Sequence, residues 1–301
     1  MSIDISMINT CDYCKRCFYY RYIEKRREHV GEIAIAGKDL HEAFNYTLAT
    51  MDIEQLMGFG IEENPDKSGV YEYLKLKALD RLIDPIPRVV QIVKNWACHF
   101  ARYWYELHQF PSIYKNKQEL EFYFKPIMME QKIELKDEQL YGTPDLVIRV
   151  PTKDSTGKPL YLILDYKTGN VPIAVLRGEN KIDTKKSLQL HMYAYLVGKV
   201  LDIQERSFLV GILYLGYNLP NYEGKNWPFA IIKKTNAKSF RTLQERIKDL
   251  REAIKKPDIE NWPATYNDWQ CNGYRGKDEP NPCEYIDVCY KVYKEKMGLI
   301  T

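Results

Sequence analysis

The run Leu160-Tyr161-Leu162-Ile163-Leu164, nearly all apolar, reads as a β-strand buried on both faces. It runs into Asp165-Tyr166-Lys167-Thr168-Gly169, so a carboxylate and an ammonium stand where a buried strand does not carry them without cause. Side chains alternate along a strand; Asp165 and Lys167 therefore share one face and Tyr166 takes the other. A second run, Tyr141 to Val150, places Asp145 at the start of its own strand. If the two pair as a hairpin through Pro151 to Pro159, with Gly157 in the turn, Asp145 and Asp165 converge at one end of a sheet.

Helical spacing governs other stretches. Leu40, Ala43, Phe44 and Leu48 follow the 3.6-residue period, with His41 beside that face. Residues 50 to 70 form a polar connection containing Gly and Pro, and 71 to 84 predict a short helix. From Pro87 to Phe110, the positions of Val90, Val93, Ala97, Phe100, Ala101 and Trp104 predict a long amphipathic helix, with Cys98 as a small buried residue. Residues 50 to 110 thus read as a helical insertion that braces the sheet or walls a cleft. Strands are expected at Gln118 to Lys125, Gln131 to Lys136, Leu140 to Val150, Pro159 to Tyr166, Arg206 to Tyr217 and Phe229 to Lys234. Helices are expected from Lys185 to Val200 and from Ala237 to Lys256. This order makes a mixed α/β (α+β) protein. One domain over 1–301 is expected, with sub-parts 1–30, 31–110, 111–256 and 257–301.

Composition narrows the class only a little. The 301 residues can bury a large core, and 45% hydrophobic with 28% charged residues is ordinary for a soluble globular chain. A net charge of +3 means that any nucleic-acid patch must be local. The 24 tyrosines suit base stacking and core packing equally. No stretch approaches a membrane span, and the opening residues carry no basic segment followed by an apolar run, so a cytoplasmic location is expected.

Seven cysteines without secretory context favour metal or cluster ligation over disulfides. Cys11, Cys14 and Cys17, read on one continuous helix, drift by about 60° per step, so all three cannot easily hold one small cluster. Asn261 to Tyr290 is rich in Asn, Pro, Gly, Trp and Tyr, lacks periodicity and carries Cys271, Cys283 and Cys289. Such a segment needs a staple other than an apolar core.

Two converging carboxylates suit a hard divalent cation, and an ammonium beside them suits a water nucleophile or a developing phosphate charge. Each piece also has a plainer reading. Asp165 and Lys167 could be an ion pair at a strand end, Asp145 a turn cap, and a lone His41 a packed or surface residue.

Taken in order, Gly37 to His41, Gly142-Thr143-Pro144-Asp145, Asp165-Tyr166-Lys167-Thr168-Gly169 and Gln189-Leu190-His191-Met192-Tyr193 resemble the RecB-like branch of the PD-(D/E)XK nucleases. More narrowly, the chain from Cys14 to Cys289 resembles the iron–sulfur members: stand-alone exonucleases linked to CRISPR adaptation, and the AddB nuclease domain. The resemblance implies a restriction-endonuclease-like core. It also implies Mg²⁺ or Mn²⁺ held by His41, Asp145, Asp165 and the carbonyl of Tyr166. Lys167 would orient or deprotonate the attacking water and stabilise the charge on the scissile phosphate. Gln189 and Tyr193, four apart on one helix face, would steady the site or touch the substrate backbone.

Cys14-Lys15-Arg16-Cys17-Phe18-Tyr19-Tyr20 resembles the family's Cys-Pro-x-x-Phe-Tyr-Tyr, with Lys15 replacing proline. Cys283 and Cys289 match its last pair. Pro280 stands where the third C-terminal cysteine usually lies, so Cys271 would substitute. The implied 4Fe-4S cluster is held by Cys14, Cys271, Cys283 and Cys289, with Cys11 or Cys17 as replacements, and a structural zinc as the alternative metal.

The activity implied is a metal-dependent DNA exonuclease on single-stranded ends, 5′ to 3′, serving recombination, repair, phage DNA metabolism or CRISPR spacer acquisition. A structure-specific endonuclease, a non-catalytic DNA-binding subunit and an RNA substrate are the rivals. Arg177, Lys181, Lys185 and Lys186 could track a phosphate backbone or form a solvated helix start. The sequence holds no P-loop, so unwinding would need a helicase partner.

Overall fold

The computed structural model describes residues 1–26, 32–154, 157–169, 182, 184–216, 229–263, 285 and 289. Arg177, Lys181, Cys271, Cys283, the side chain of Lys185 and most of the stretch from Asn261 to Tyr290 lie outside these residues. The chain divides into two compact units, one of residues 32–135 and 141–240, the other of residues 1–31, 136–140 and 241–301.

Seven strands are present among the described residues: β1 (Met128–Met129), β2 (Ile133–Leu135), β3 (Leu140–Gly142), β4 (Leu146–Lys153), β5 (Pro159–Lys167), β6 (Phe208–Tyr214) and β7 (Phe229–Lys234). The main sheet has the order β1-β4-β5-β6-β7, while β2 and β3 pair separately. The hairpin expected from the apolar runs is β4–β5, antiparallel, with Leu146 opposite Leu164 and Val150 opposite Leu160. Gly157 adopts φ 82° in its turn, a conformation glycine reaches without a Cβ clash. That register sets Asp145, one residue before Leu146, at the same sheet end as Asp165, one residue after Leu164.

β5 pairs in parallel with β6, Asp165 lying opposite Ile212 and Lys167 opposite Tyr214. A parallel neighbour needs a crossover, and the helix Thr184–Leu201 lies within it. This central position explains why β5 is apolar from Leu160 to Leu164. Leu160, Leu162, Leu164 and Tyr166 enter a core shared with Leu40, Phe44, Trp96 and Phe100 from the helices Glu32–Thr50 and Pro87–His108. Phe44 stacks on Trp96 with ring centroids 4.5 Å apart and planes 6° from parallel. The helices of residues 50–110 therefore supply much of the main core of this unit. Cys98 packs against that core only partly buried.

One expected strand is a helix. Gln118 to Lys125 contains Leu120, Phe122 and Phe124 in an alternation that mimics a strand, yet Lys117–Phe124 is helical. Asn116 caps it, its side-chain oxygen accepting from the N–H groups of Gln118 at 2.9 Å and Glu119 at 3.4 Å. Leu120 and Phe124 are buried while Phe122 is 40% exposed, so the working period is four.

In the other unit, Asp4 caps the helix Ile5–Tyr13 by accepting from Met7 N–H at 2.8 Å. The helix stops at Cys14, whose extended backbone (φ −159°, ψ 114°) separates it from Lys15–Phe18 and from a π-helical turn, Tyr19–Ile23. Phe18 stacks on Trp262 at 4.9 Å, and Arg16 Nε donates to the Trp262 carbonyl at 2.6 Å. Arg246 pairs with Asp12 at 2.8 Å.

Candidate active site

The end of β5 carries the chemistry. Asp165 is 2% exposed, and its two oxygens face different partners: Lys167 Nζ lies 2.6 Å from Oδ2, and Gln189 Nε2 donates to Oδ1 at 3.0 Å. Gln189 also donates to the Tyr193 hydroxyl at 3.0 Å, one helical turn away. A strand and a helix thus hold one carboxylate from two sides.

Glycine at position 142 permits that arrangement. A Cβ there would sit 2.7 Å from Leu196 Cδ1 and 3.2 Å from Tyr193 Cε1, so a larger residue would crowd the ring that bonds Gln189. Three residues on, Asp145 Oδ2 accepts the backbone N–H of Tyr166 at 2.6 Å, which ties the two strand ends together. The Tyr166 ring, on the opposite face from Asp165 and Lys167, is buried against Phe44 and edge-on to His41.

His41, from the helix Glu32–Thr50, stands at the same end. Its Nδ1 is 2.6 Å from Glu130 Oε1 and 3.9 Å from Asp145 Oδ1. The donor atoms of His41, Glu130 and Asp145 all lie within 4.8 Å of one another, close enough to share one cation. Sequence motifs pointed to His41 and Asp145. They gave no sign of Glu130, which lies in Met128-Met129-Glu130-Gln131 with no pattern attached.

Burial makes these carboxylates reluctant anions. The pKa of Asp145 is pushed up to about 7, first by burial and then by the negative charge of Asp165, with His41 opposing. Asp165 is also raised by burial, although Lys167 pulls the other way. Burial alone would lower His41, but its hydrogen bond to Glu130 and the charges of Asp145, Glu130 and Asp165 raise it. A concentration of negative charge in a desolvated place is what a divalent cation relieves.

The structure thus brings His41, Asp145, Asp165, Lys167, Gln189 and Tyr193 into one connected group with Tyr166. Lys186 contributes charge to Asp165, and its Nζ lies 5.4 Å from the centroid of the Tyr214 ring. His191 does not join. Its Nδ1 donates to the Ser187 carbonyl at 2.7 Å and its Nε2 accepts the Asn236 N–H at 3.2 Å, which fixes a neutral ring, and burial lowers its pKa.

Among the described residues, the thiols of the other unit separate into two groups. Cys14, Cys17 and Cys289 are buried in one cluster with Tyr20 and Tyr285, and none is in a disulfide. Cys11 instead lines a cavity of about 400 Å³ with Asp12, Lys15, Arg246 and Asp249. Its pKa is pushed up to about 11 by burial and by Asp12. The helix break at Cys14 is the reason: the uniform drift of a continuous helix does not apply across it.

With the mixed sheet and its clustered carboxylates in view, the sequence comparison gives the class. The chain matches the model of the PD-(D/E)XK nuclease superfamily over residues 3–290, and it belongs to that superfamily. The protein is accordingly a nuclease-class hydrolase acting on phosphodiester bonds, and its mixed α/β architecture is consistent with a restriction-endonuclease-like fold. No curated protein matches the chain. Among the described residues, no helix is long and apolar enough to cross a membrane.

Proposed function

We propose that the protein is a Mg²⁺- or Mn²⁺-dependent deoxyribonuclease, an exonuclease that degrades single-stranded DNA ends, 5′ to 3′. The observation that carries this reading is the meeting of Asp145, Asp165 and Lys167 with His41 at one sheet end. The donors suit a hard cation: carboxylate oxygens and one imidazole, with burial holding Asp145 and Asp165 above the usual carboxylate range. His41, Asp145, Asp165 and the Tyr166 carbonyl would hold the cation. When bound, it polarises a phosphoryl oxygen and lowers the pKa of water. Lys167 orients that water and offsets charge growing on the scissile phosphate. Gln189 and Tyr193 keep Asp165 facing Lys167.

End-labelled linear and circular single-stranded DNA, each with Mg²⁺ or Mn²⁺, test the reading. Linear DNA should be shortened from the 5′ end and circles should survive. Cut circles would make the enzyme an endonuclease, and no cleavage of any DNA or RNA substrate would make it a binding subunit with an inert nuclease fold. A recombination, repair, phage or CRISPR-adaptation setting in the cytoplasm, with a helicase partner, belongs to the same proposal.

We further propose that the buried thiols hold a 4Fe-4S cluster. Cys14 and Cys289 would be ligands, with Cys283 and a fourth thiolate from Cys271 or Cys17. Cys17 is favoured because it shares the buried cluster with Cys14 and Cys289. Two buried groups support an anionic occupant. Among the described residues, Arg16 is 4% exposed and makes no hydrogen bond through Nη1, and the Tyr20 hydroxyl, buried beside it, feels both Arg16 and Cys289. A centre with four thiolates is dianionic whether it holds iron–sulfur or zinc. Protein purified without air should be brown, and Cys17→Ser should lower its iron content while Cys11→Ser should not. Colourless protein containing zinc would overturn the iron assignment; unchanged iron in Cys17→Ser would return the fourth position to Cys271.

A further inference from the structure

Glu130 follows a strand of only two residues, β1, which pairs Met128 with Val147 and Met129 with Leu146. At Glu130 the backbone turns to φ 45°, a left-handed conformation that costs a non-glycine residue about 1 kcal/mol. Its N–H is held by the carbonyls of Pro144 at 3.0 Å and Asp145 at 3.3 Å. The residue is therefore anchored to the backbone of the very segment that supplies Asp145, and the turn aims its carboxylate back at His41.

We infer that Glu130 is a direct ligand in the cation centre, joining His41 and Asp145. The inference rests on the reading of that end of the sheet as a cation site. Donors at adjacent corners of an octahedron around Mg²⁺ or Mn²⁺ stand about 3 Å apart, given metal–oxygen distances near 2.1 Å. The Nδ1 of His41 is 2.6 Å from Glu130 Oε1 and 3.9 Å from Asp145 Oδ1, values that bracket this separation. Asp145 has one oxygen to spare, since its other oxygen is committed to the Tyr166 N–H. Asp165 accepts from Gln189 through one oxygen and faces the Lys167 ammonium, 2.6 Å away, with the other. The rival role is a carboxylate that only orients the imidazole ring of His41 from outside the coordination sphere.

Mn²⁺ titration of the full chain without DNA, followed by calorimetry, and the visible spectrum of the Co²⁺-loaded protein separate these roles. Glu130→Gln keeps a hydrogen-bond acceptor for His41 while removing the charge. It should weaken Mn²⁺ binding at least 10-fold, as Asp145→Asn does, and alter the Co²⁺ spectrum. Mn²⁺ affinity within 2-fold of the parent, with an unchanged Co²⁺ spectrum, would overturn the assignment while Asp145→Asn still loses the metal. If neither variant alters Mn²⁺ binding, the cation-site reading itself fails. Should Glu130→Gln not fold, Glu130→Asp withdraws the carboxylate by one methylene and keeps its charge. The same 10-fold weakening is expected of it, and parent-like affinity would again refute ligation.

Discussion

Lys167→Ala is expected to reduce the rate of phosphodiester cleavage about 10³-fold or more, a loss of roughly 4 kcal/mol of transition-state stabilisation. The ammonium lies 2.6 Å from the Asp165 carboxylate, and its side chain is about one-third exposed, so it can reach both solvent water and a bound phosphate. Asp165→Asn should produce a loss of similar size by a different route. It removes the charge that holds Lys167 and the cation, yet it keeps an oxygen able to accept from Gln189. Neither change should unfold the sheet, because the apolar part of β5 stays intact in both and, in Asp165→Asn, Lys167 remains hydrated. Single-turnover cleavage of linear single-stranded DNA at saturating Mn²⁺, with thermal denaturation as a control, measures both effects. A folded variant retaining a tenth of the parent rate would remove that residue from the catalytic assignment.

The second large effect concerns stability. Asp145 has a folded pKa of about 7 against an ordinary value of 3.8, so between those values the folded protein holds a proton that the unfolded chain has released. Without metal, stability should therefore fall as pH rises from about 4 to about 7, with the loss complete above that. His41, also raised, acts in the same direction: the stability it contributes is lost as pH rises through its folded pKa. A shift of about 3 pH units sets an upper bound of roughly 4 kcal/mol for Asp145, shared with its partner Asp165. In chelator, the melting temperature at pH 5 should exceed that at pH 8 by several degrees. Asp145→Asn should flatten this slope, and saturating Mn²⁺ should restore stability at pH 8 in the parent alone. Equal slopes in the parent and Asp145→Asn would show that burial of this carboxylate carries no such penalty.

The two effects share one physical source. A desolvated cluster of acids is unfavourable for an empty site and favourable for one that takes up a cation, so the cost borne by the fold is returned as affinity. Gln189 and Tyr193 are expected to matter because they restrict the Asp165 rotamer, at the small energetic scale of single hydrogen bonds.

Local pattern was enough to determine the β4–β5 hairpin, the two-face burial of β5 and the shared face of Asp165 and Lys167. Strand period, turn glycine and apolar runs are short-range properties, so they survive in the chain without any tertiary knowledge. The Gln189 and Tyr193 pair was legible for the same reason, being one helical turn apart. Where a local pattern suits two periods, tertiary burial chooses: Leu120 and Phe124 face a core and Phe122 does not, which makes Lys117–Phe124 a helix. Glu130 was beyond sequence reasoning, and Cys17 was legible only as a replacement ligand beside Cys11, on different grounds. Glu130 enters the site through a positive-φ turn and long-range bonds to Pro144 and Asp145. Cys17 reaches Cys289 only because the helix breaks at Cys14. Periodicity records which face of an element is apolar; it carries no information about which distant backbone a single turn will meet, and that is what only the folded chain decided.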